Sequence, residues 1–245
     1  MPQTRLHIAG PYGADSVLEL ASDKARYLGR VLRLRVGDNL SVFDGEGSEF
    51  ATTITAIGKT SATLRVDEKT TVRTESPLRV HLVQGISRGE RMDFVVQKAT
   101  ELGVKRITPV LTEFGVVKLD AIRAEKRRAH WQKVAVSACE QSGRVRLPLI
   151  DPPIPLKNWF GNKPKQVDSE VILRPGTATP LAGIDSPATK VCVLIGPEGG
   201  FSDTEFEDAK IAGFRPVSLG PRVLRTETAA IAAIAVLQSL WGDYS

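Results

Sequence analysis

Two different rhythms of apolar and polar residues divide this chain. Up to about residue 73, short apolar–polar alternations recur, as in 51–57 and 62–66, with turn signals such as Asp44-Gly45 between them. Strict alternation is typical of half-buried strands. One helix is predicted around 23–31, with Ser22 or Asp23 as its cap. This part of the chain is therefore predicted to fold as a small β-barrel covering residues 1–72.

Beyond the polar stretch 70–77, which is predicted to be a linker, strands and helices alternate. Apolar runs predict strands, and helical spacing predicts the helices between them; Ser202 and Glu205 form a capping box at the start of one. The predicted strands are 80–84, 106–111, 171–173, 190–195 and 216–218, and the predicted helices are 92–102, 123–141, 203–212 and 227–241. The alternation predicts an α/β domain with a mostly parallel sheet over residues 78–245.

The last predicted helix, 227–241, is apolar almost all round. A helix of this kind is buried on several sides. Because it is the final element of the chain, its burial predicts a subunit interface, and we expect a homodimer.

Composition narrows the class of protein. The chain has 245 residues, of which 42% are hydrophobic and 25% charged, which excludes disorder. The longest apolar run, Ala229–Leu237, is too short to span a membrane, and no apolar leader opens the chain. Two distant cysteines and three scattered histidines argue against disulfides and a metal centre. A cytoplasmic protein without membrane or metal is expected.

The net charge of +5 is clustered. Residues 1–75 carry ten basic and ten acidic residues, yet five basic residues fall between Lys24 and Arg35 with no acid in that interval. Three such clusters occur: Lys24, Arg26, Arg30, Arg33 and Arg35; Lys118, Arg123, Lys126, Arg127, Arg128 and Lys133; and Arg215, Arg222 and Arg225. Each alone is typical of a solvated face. Together they favour a polyanionic partner, because neutralising phosphates releases counterions.

The segment from Ile195 to Phe201 (IGPEGGF) is the first motif that indicates a ligand site. It follows a predicted buried strand and precedes a capped helix, at the edge of the sheet where open α/β folds bind ligands. Its glycines allow the backbone to approach a ligand closely. Glu198 can accept hydrogen bonds from ribose hydroxyls or offset a cation. The alternative is an ordinary tight turn.

The segment 219–228 (LGPRVLRTET) is the second motif that indicates a ligand site. Arg222 and Arg225 flank two apolar residues, which suits a loop that holds a flat ring while guanidinium groups meet phosphate. Thr226 or Thr228 can cap the following helix, and Glu227 suits its N-terminal dipole. The alternative is a surface loop with charges placed for solubility. Cys139 has no histidine near it in sequence and is interpreted as a core residue.

These motifs, together with YLGRVLR (27–33), SRGERM (87–92), KATELGV (98–104) and ACEQSGR (138–144), resemble one family in order and spacing over nearly the whole chain. It is the bacterial 16S ribosomal RNA uracil-N3 methyltransferase family of the SPOUT superfamily. The resemblance implies a PUA-like barrel, an α/β domain tied in a trefoil knot, and a homodimer. It also implies S-adenosylmethionine as the cofactor and uridine 1498 of 16S rRNA in the small ribosomal subunit as the target.

The resemblance and the motifs together nominate site residues. Uracil N3 must lose a proton, and since arginine cannot act as a base, Arg225 or Arg222 is expected to stabilise the uracil anion. Glu198 and Glu227 are both candidates for the proton acceptor. The cofactor-binding candidates are Leu173, Ile195, Gly196, Glu198, Gly199, Gly200, Leu219, Gly220, Leu224 and Thr226. The RNA-binding candidates are Arg5, Arg26, Tyr27, Arg30, Arg33, Arg88, Lys98, Gln141 and Arg144.

Two positions depart from the family pattern. Tyr27 stands where histidine is frequent, and Phe114 stands where arginine is common; a tyrosine can still stack on a base. Two alternative functions stay open at this point. One is a non-enzymatic RNA-binding protein with structural loops, and the other is a SPOUT enzyme with a different RNA target.

Overall fold

The computed structural model describes residues 4–115, 119–184 and 187–244, so Lys118 of the second basic cluster lies outside the described residues. The chain divides into two compact units. The first comprises residues 1–75 and 139–147, and the second comprises 76–138 and 148–245. The sequence groups 139–147 with the second domain, but Cys139 and Val145 pack against Phe43 in the first unit.

The first unit is built on a five-stranded sheet. Its order is β1-β3-β4-β5-β2; β1 runs parallel to β3, and the other pairs are antiparallel. Two register shifts between β4 and β5 interrupt the pairing, and such irregularities bend and twist a sheet. The strands are β1 (Arg5–His7), β2 (Val17–Leu20), β3 (Asn39–Phe43), β4 (Glu49–Ile57) and β5 (Ala62–Thr70). The small β domain predicted from the alternation is confirmed.

The helix predicted at 23–31 differs from the observed segment. A short helix, α1 (Ser22–Arg26), continues into a π-helical turn, Tyr27–Val31. The predicted cap is wrong: Ala21 occupies the capping position, and no side chain caps the helix. The turn buries Leu28 and leaves Tyr27 and Val31 exposed, so it presents an apolar and aromatic surface next to arginines.

The second unit contains a seven-stranded sheet in which every pair is parallel. Six strands follow the order β12-β10-β11-β6-β7-β8, and β9 also pairs with β7. The strands are β6 (Arg79–Gly85), β7 (Arg106–Leu111), β8 (Leu149–Ile150), β9 (Ile154–Pro155), β10 (Ser169–Leu173), β11 (Lys190–Ile195) and β12 (Arg215–Val217). The predicted parallel sheet is confirmed.

Helices cover both faces of this sheet. Along β11, Val193 and Ile195 belong to one apolar core, whereas Cys192 and Leu194 belong to another. Strands buried on both faces form continuous apolar runs, which explains why β11 lacks alternation. The helices are α2 (Arg91–Glu101), α3 (Ala121–Ser142), α4 (Leu156–Asn162), α5 (Asp203–Ile211) and α6 (Thr226–Trp241). The capping box of Ser202 and Glu205 opens α5 as predicted.

Within this chain α6 is buried on one side only, so the predicted burial on several sides would require contacts with a second chain. Ala230, Ala233, Ile234 and Leu237 are buried, whereas the remaining apolar positions are partly buried or exposed: Ala229, Ile231, Ala232, Ala235, Val236, Leu240 and Trp241. The predicted threonine cap is wrong, because the capping position is Arg225 and no side chain caps the helix. The helix therefore keeps an apolar face that this chain does not fully cover.

Neither cysteine is placed for reaction. Both are free and buried, and burial raises the pKa of the Cys139 thiol to about 11. Such a thiol is protonated at neutral pH and acts as a small apolar side chain. In the described ranges, no group of three potential metal-ligating side chains occurs, and no helix is long and apolar enough to cross a membrane.

Candidate cofactor and catalytic site

A cavity of about 630 Å³ opens where three parallel strands of the second unit end. Leu173 at the end of β10, Ile195 at the end of β11 and Val217 at the end of β12 all contribute to its wall. Open parallel sheets bind ligands at this carboxyl edge, and the volume is that of a small-molecule or cofactor site.

Two loops form most of the cavity wall. We call residues 196–201 the first loop and residues 218–225 the second loop; they follow β11 and β12. The cavity brings together most of the predicted cofactor and catalytic residues, namely Leu173, Ile195, Gly196, Glu198, Gly200, Leu219, Gly220, Arg222, Leu224, Arg225 and Thr226. It also includes residues that the sequence analysis did not nominate as site residues, although several lie in the quoted motifs: Arg91, Arg174, Pro175, Pro197, Phe201, Phe206, Val217, Ser218, Val223 and Ala229.

The first loop lies against the end of β6. A Cβ atom built on Gly85 would stand 2.4 Å from Pro197 Cδ and 2.5 Å from the Pro197 backbone nitrogen. No side chain can occupy that space unless the loop backbone moves. Gly85 therefore allows the first loop to cross directly over the end of a neighbouring strand.

A buried hydrogen-bond network joins β6, the first loop and the start of α6. Thr226 Oγ1 donates to the Gly196 carbonyl at 2.6 Å, and Gln84 Nε2 donates to Thr226 Oγ1 at 2.9 Å. Thr226, the first residue of α6, thus connects the helix that follows the second loop to the first loop by a hydrogen bond, and it does not cap the helix. Gln84, at the end of the predicted strand 80–84, is the sequence signal that could have indicated this network, since a buried amide requires partners.

Glu198 lies in the first loop with its carboxylate already engaged. Its Oε1 accepts hydrogen bonds from Arg91 Nη1 at 2.7 Å and from the Arg88 backbone N–H at 3.1 Å. Partial burial raises the pKa of Glu198, but hydrogen bonds from its own backbone, from Arg88 and from Arg91 lower it further, so the pKa lies below its usual range. Glu198 is a stable anion and a weak base.

Glu227 differs from Glu198 in its surroundings. Its Oε1 lies 4.0 Å from Arg91 Nε, and its side chain is 15% exposed. Within the part of the chain that the structure describes, its buried Oε2 atom has no hydrogen-bond partner. It is adjacent to Thr226 but does not itself line the cavity. Glu227 thus retains a buried acceptor atom without a partner in the described chain, whereas both hydrogen bonds to Glu198 end on its Oε1.

Gly199 is the remaining predicted cofactor residue outside the cavity wall. A Cβ atom at this position would stand 2.9 Å from Phe114 Cβ and 3.0 Å from the Phe114 carbonyl oxygen. Its role in the structure is close packing of the first loop on the chain after β7. Phe114 itself is 51% exposed beside that contact.

Four arginines and a single acid, Glu198, carry the charges of the cavity wall. Arg222 and Arg225 are exposed, and neither forms an ion pair with any described residue. Arg174 stacks on Phe206, with its guanidinium carbon 3.8 Å from the ring centroid. Arg174 also pairs with Asp203 at 3.7 Å and Arg91 with Glu198, so the unpaired positive charge of the wall comes from Arg222 and Arg225.

In the first unit, four RNA-binding candidates lie on an exposed surface around the π-helical turn. Arg26, Tyr27 and Arg30 border a shallow depression with Asp23 and Val31, and Tyr27 is 40% exposed. Arg33 is also exposed and follows directly, with a φ of 56°. An aromatic ring between cations is a surface that suits stacking on a nucleobase and pairing with phosphates.

Two other candidates are corrected by their burial. Arg144 has only 2% of its side chain exposed and pairs with Glu75 at 3.0 Å. Arg5 is 12% exposed, pairs with Glu49, and donates to the carbonyls of Cys139 and Arg144. Both guanidinium groups hold segment 139–147 within the first unit, so neither is available to RNA.

The last three RNA-binding candidates differ in their exposure to solvent and in their ion pairing. Arg88 and Gln141 are exposed. Lys98 is partly buried and pairs with Glu101 at 2.8 Å on the same helix.

Comparison with known families defines the class of protein. Residues 74–238 match the RNA methyltransferase domain, and residues 20–67 match the RNA methyltransferase PUA domain. The parallel α/β unit with its loop-lined cavity therefore contains the RNA methyltransferase domain, and the small β unit contains the PUA domain. The protein belongs to the class of RNA methyltransferases.

The chain belongs, more narrowly, to the ribosomal RNA small subunit methyltransferase E family. The protein of that name from Buchnera aphidicola subsp. Schizaphis graminum is 35% identical over 98% of both chains. A crystal structure of the Neisseria gonorrhoeae member bound to S-adenosyl methionine is 39% identical, covers 99% of this chain and 100% of its own, and superposes with a TM-score of 0.93. A Legionella pneumophila methyltransferase in complex with the cofactor SAM is 40% identical over the same shares, with a TM-score of 0.94.

The contact between β6 and the first loop yields a prediction. Gly85→Ala forces the Pro197 backbone away from the strand, so we expect a loss of about 2 kcal/mol or more in unfolding free energy and at least a tenfold loss of S-adenosylhomocysteine affinity. Gly161→Ala is the matched control, because that Cβ meets nothing within 4 Å. Urea unfolding and calorimetric titration measure both. A Gly85→Ala protein with wild-type stability and affinity would refute the close approach.

Proposed function

We propose that this protein is a cytoplasmic S-adenosylmethionine-dependent methyltransferase that methylates N3 of uridine 1498 in 16S rRNA. The observation that carries the proposal is that the first and second loops line the same cavity. Relatives with the small-subunit rRNA methyltransferase name, and solved relatives with bound S-adenosylmethionine, support the cofactor and the substrate.

The cavity fits the cofactor in both size and chemistry. Apolar side chains from the ends of three strands and from the second loop offer a surface for the adenine ring, and the glycine-rich first loop exposes backbone groups for polar contacts. The proposed cofactor residues are Leu173, Ile195, Gly196, Gly200, Leu219, Gly220 and Leu224. When bound, S-adenosylmethionine supplies an activated methyl group, so alignment is the main task left to the protein.

The arginines are assigned to the RNA rather than to the cofactor. The sulfonium and ammonium groups make the cofactor cationic, so a wall with four arginines and one acid favours a second, anionic ligand at its opening. Arg222 and Arg225 are unpaired among the described residues and exposed. We assign them to the phosphates of the target and to the uracil anion that forms when N3 loses its proton.

We assign proton acceptance to Glu227 rather than to Glu198. The Glu198 carboxylate is held by Arg88 and Arg91, and its lowered pKa makes it a poor acceptor. Glu227 has an acceptor oxygen with no partner in the described chain and lies two residues from Arg225. Because Glu227 does not line the cavity, it accepts the N3 proton through a water molecule.

The first unit supplies RNA contacts in this proposal. The exposed residues of this unit that we assign to RNA are Arg26, Tyr27, Arg30 and Arg33. Gln141 of the same unit and Arg88 and Lys98 of the second unit are proposed as further contacts. In this proposal, residues 1–72 form the PUA-like domain and residues 78–245 the methyltransferase domain, apart from segment 139–147, which belongs to the first unit. The trefoil knot in the methyltransferase domain is proposed on the family resemblance.

The half-buried helix α6 supports a homodimer. Its partly covered side combines Ile231, Ala232 and Ala235 with Leu240, and an apolar helix face of this kind is stabilised by packing against another chain. A second copy that covers this face explains why the helix is apolar almost all round.

The catalytic assignment predicts different defects for the two acids. Small ribosomal subunits from a deletion strain are treated with each protein, and methylated uridines in 16S rRNA are mapped by mass spectrometry. We expect the wild type to methylate uridine 1498 at N3, and Glu227→Gln to lower kcat by about 100-fold or more with S-adenosylhomocysteine affinity retained. Glu198→Gln should lose cofactor affinity instead. No modification by the wild type refutes the function, and an active Glu227→Gln refutes the base.

The RNA surface predicts a change in salt dependence. Arg30→Gln combined with Arg33→Gln should weaken binding to small subunits and flatten the slope of log affinity against log salt by roughly 0.7 to 0.9 for each lost phosphate contact. Lys59→Gln, an exposed lysine of the same unit outside the cluster, is the control. An unchanged slope in the double variant contradicts the assignment of this surface.

The dimer predicts a concentration-independent sedimentation coefficient. At micromolar concentration we expect a species of twice the chain mass, because an exposed apolar helix face favours association in water. Ala232→Glu places a charge on that face and should produce monomers. A wild-type monomer at this concentration overturns the proposal.

A further inference from the structure

Arg91 is the first residue of α2 and lies on the cavity wall. It lies in the SRGERM motif (87–92), but the sequence analysis gives it no role, and none in the proposed reaction has yet been given to it. Its position is notable because α2 follows β6, the strand on which the first loop rests through Gly85 and Pro197. The start of α2 is therefore close to the point where the first loop crosses the sheet.

The guanidinium group of Arg91 reaches acids from two separate elements. Its Nη1 donates to Glu198 Oε1 in the first loop at 2.7 Å, and its Nε lies 4.0 Å from Glu227 Oε1 at the start of α6. The second loop leads directly into α6 through Arg225. One cation thus contacts the middle of one cofactor loop and the helix that ends the other.

The backbone next to Arg91 strengthens the same contact. The Arg88 N–H also donates to Glu198 Oε1, so segment 88–91 holds this carboxylate from two directions. Arg91 is 43% exposed and Glu198 is 26% exposed. An ion pair this exposed adds little to overall stability. Its effect is expected in the placement of the loop, where errors of about 1 Å can cost roughly 100-fold in rate.

We propose that Arg91 is a positioning residue that holds the first loop to the start of α6 by bridging Glu198 and Glu227. The proposal rests on the proposed function and adds to it a residue that acts through Glu198 rather than on the cofactor. Without the guanidinium group, Glu198 and Glu227 no longer share a cation. The first loop then loses its fixed distance from the helix that carries Glu227.

A double-mutant cycle separates this role from direct contact with the cofactor. Arg91→Ala, Glu198→Ala and the double variant are titrated with S-adenosylhomocysteine by calorimetry, and thermal unfolding verifies that each is folded. We expect each single variant to lose about tenfold in affinity and the double variant to lose no more than about twofold beyond that. Arg91→Lys should recover most of the affinity. Glu90→Gln, an exposed acid one position earlier, is the charge control.

The outcomes distinguish the inference from the function on which it rests. If the two losses multiply to about 100-fold, Arg91 acts independently of Glu198 and the bridge is refuted. Wild-type affinity in Arg91→Ala also refutes it. Should Arg91→Ala or Glu198→Ala not fold, the cycle is repeated with Arg91→Gln and Glu198→Gln, which remove the charges but keep most of the side-chain volume, under the same criteria. If the wild type itself does not bind S-adenosylhomocysteine, the proposed function fails first.

Discussion

The close contact between the end of β6 and the first loop is the constraint on which the site depends. Gly85 and Pro197 approach to a distance that excludes any side chain at residue 85. Once the loop lies there, the Gly196 carbonyl is within reach of Thr226, and Thr226 is within reach of Gln84. Three elements that are distant in sequence are thereby joined by one backbone crossing and two hydrogen bonds. The cavity exists because this crossing holds the two loops side by side.

The apolar and the charged residues of the site correspond to the two ligands that it is proposed to bind, the cofactor and the RNA. The cofactor is a cation, and the apolar inner wall offers it surface rather than opposite charge. The arginines stand where a polyanion would enter. Of the two acids near the cavity, Glu198 is neutralised by Arg91 and the Arg88 backbone, whereas Glu227 keeps an unpartnered oxygen in the described chain. Similar residues in neighbouring positions thus take different roles because their hydrogen bonds differ.

Long periodic patterns of apolar residues predicted most of the strands and helices. Short elements and contacts between distant parts of the sequence were not predicted. The strands β6, β7 and β11 and the helices α2, α3 and α5 follow from apolar runs and from a capping box. The two-residue strands β8 and β9 and the short helix α4 were not predicted, because so few residues carry no periodicity. Segment 139–147 joins the first unit through the buried pair of Arg144 with Glu75, a contact that no local pattern indicates. The same limit applies to the site: the loops were visible as glycine-rich motifs, but the contact of Arg91, within the SRGERM motif, with Glu198 is non-local and appears only in the folded chain.

Hydrogen–deuterium exchange with and without S-adenosylhomocysteine tests the central claim most directly, namely that the two loops form one cofactor site. The account predicts that amides of residues 196–201 and 218–225 gain protection together on addition of the ligand, with a single midpoint in a titration. Protection confined to one loop, or located outside the carboxyl edge of β10, β11 and β12, would contradict it.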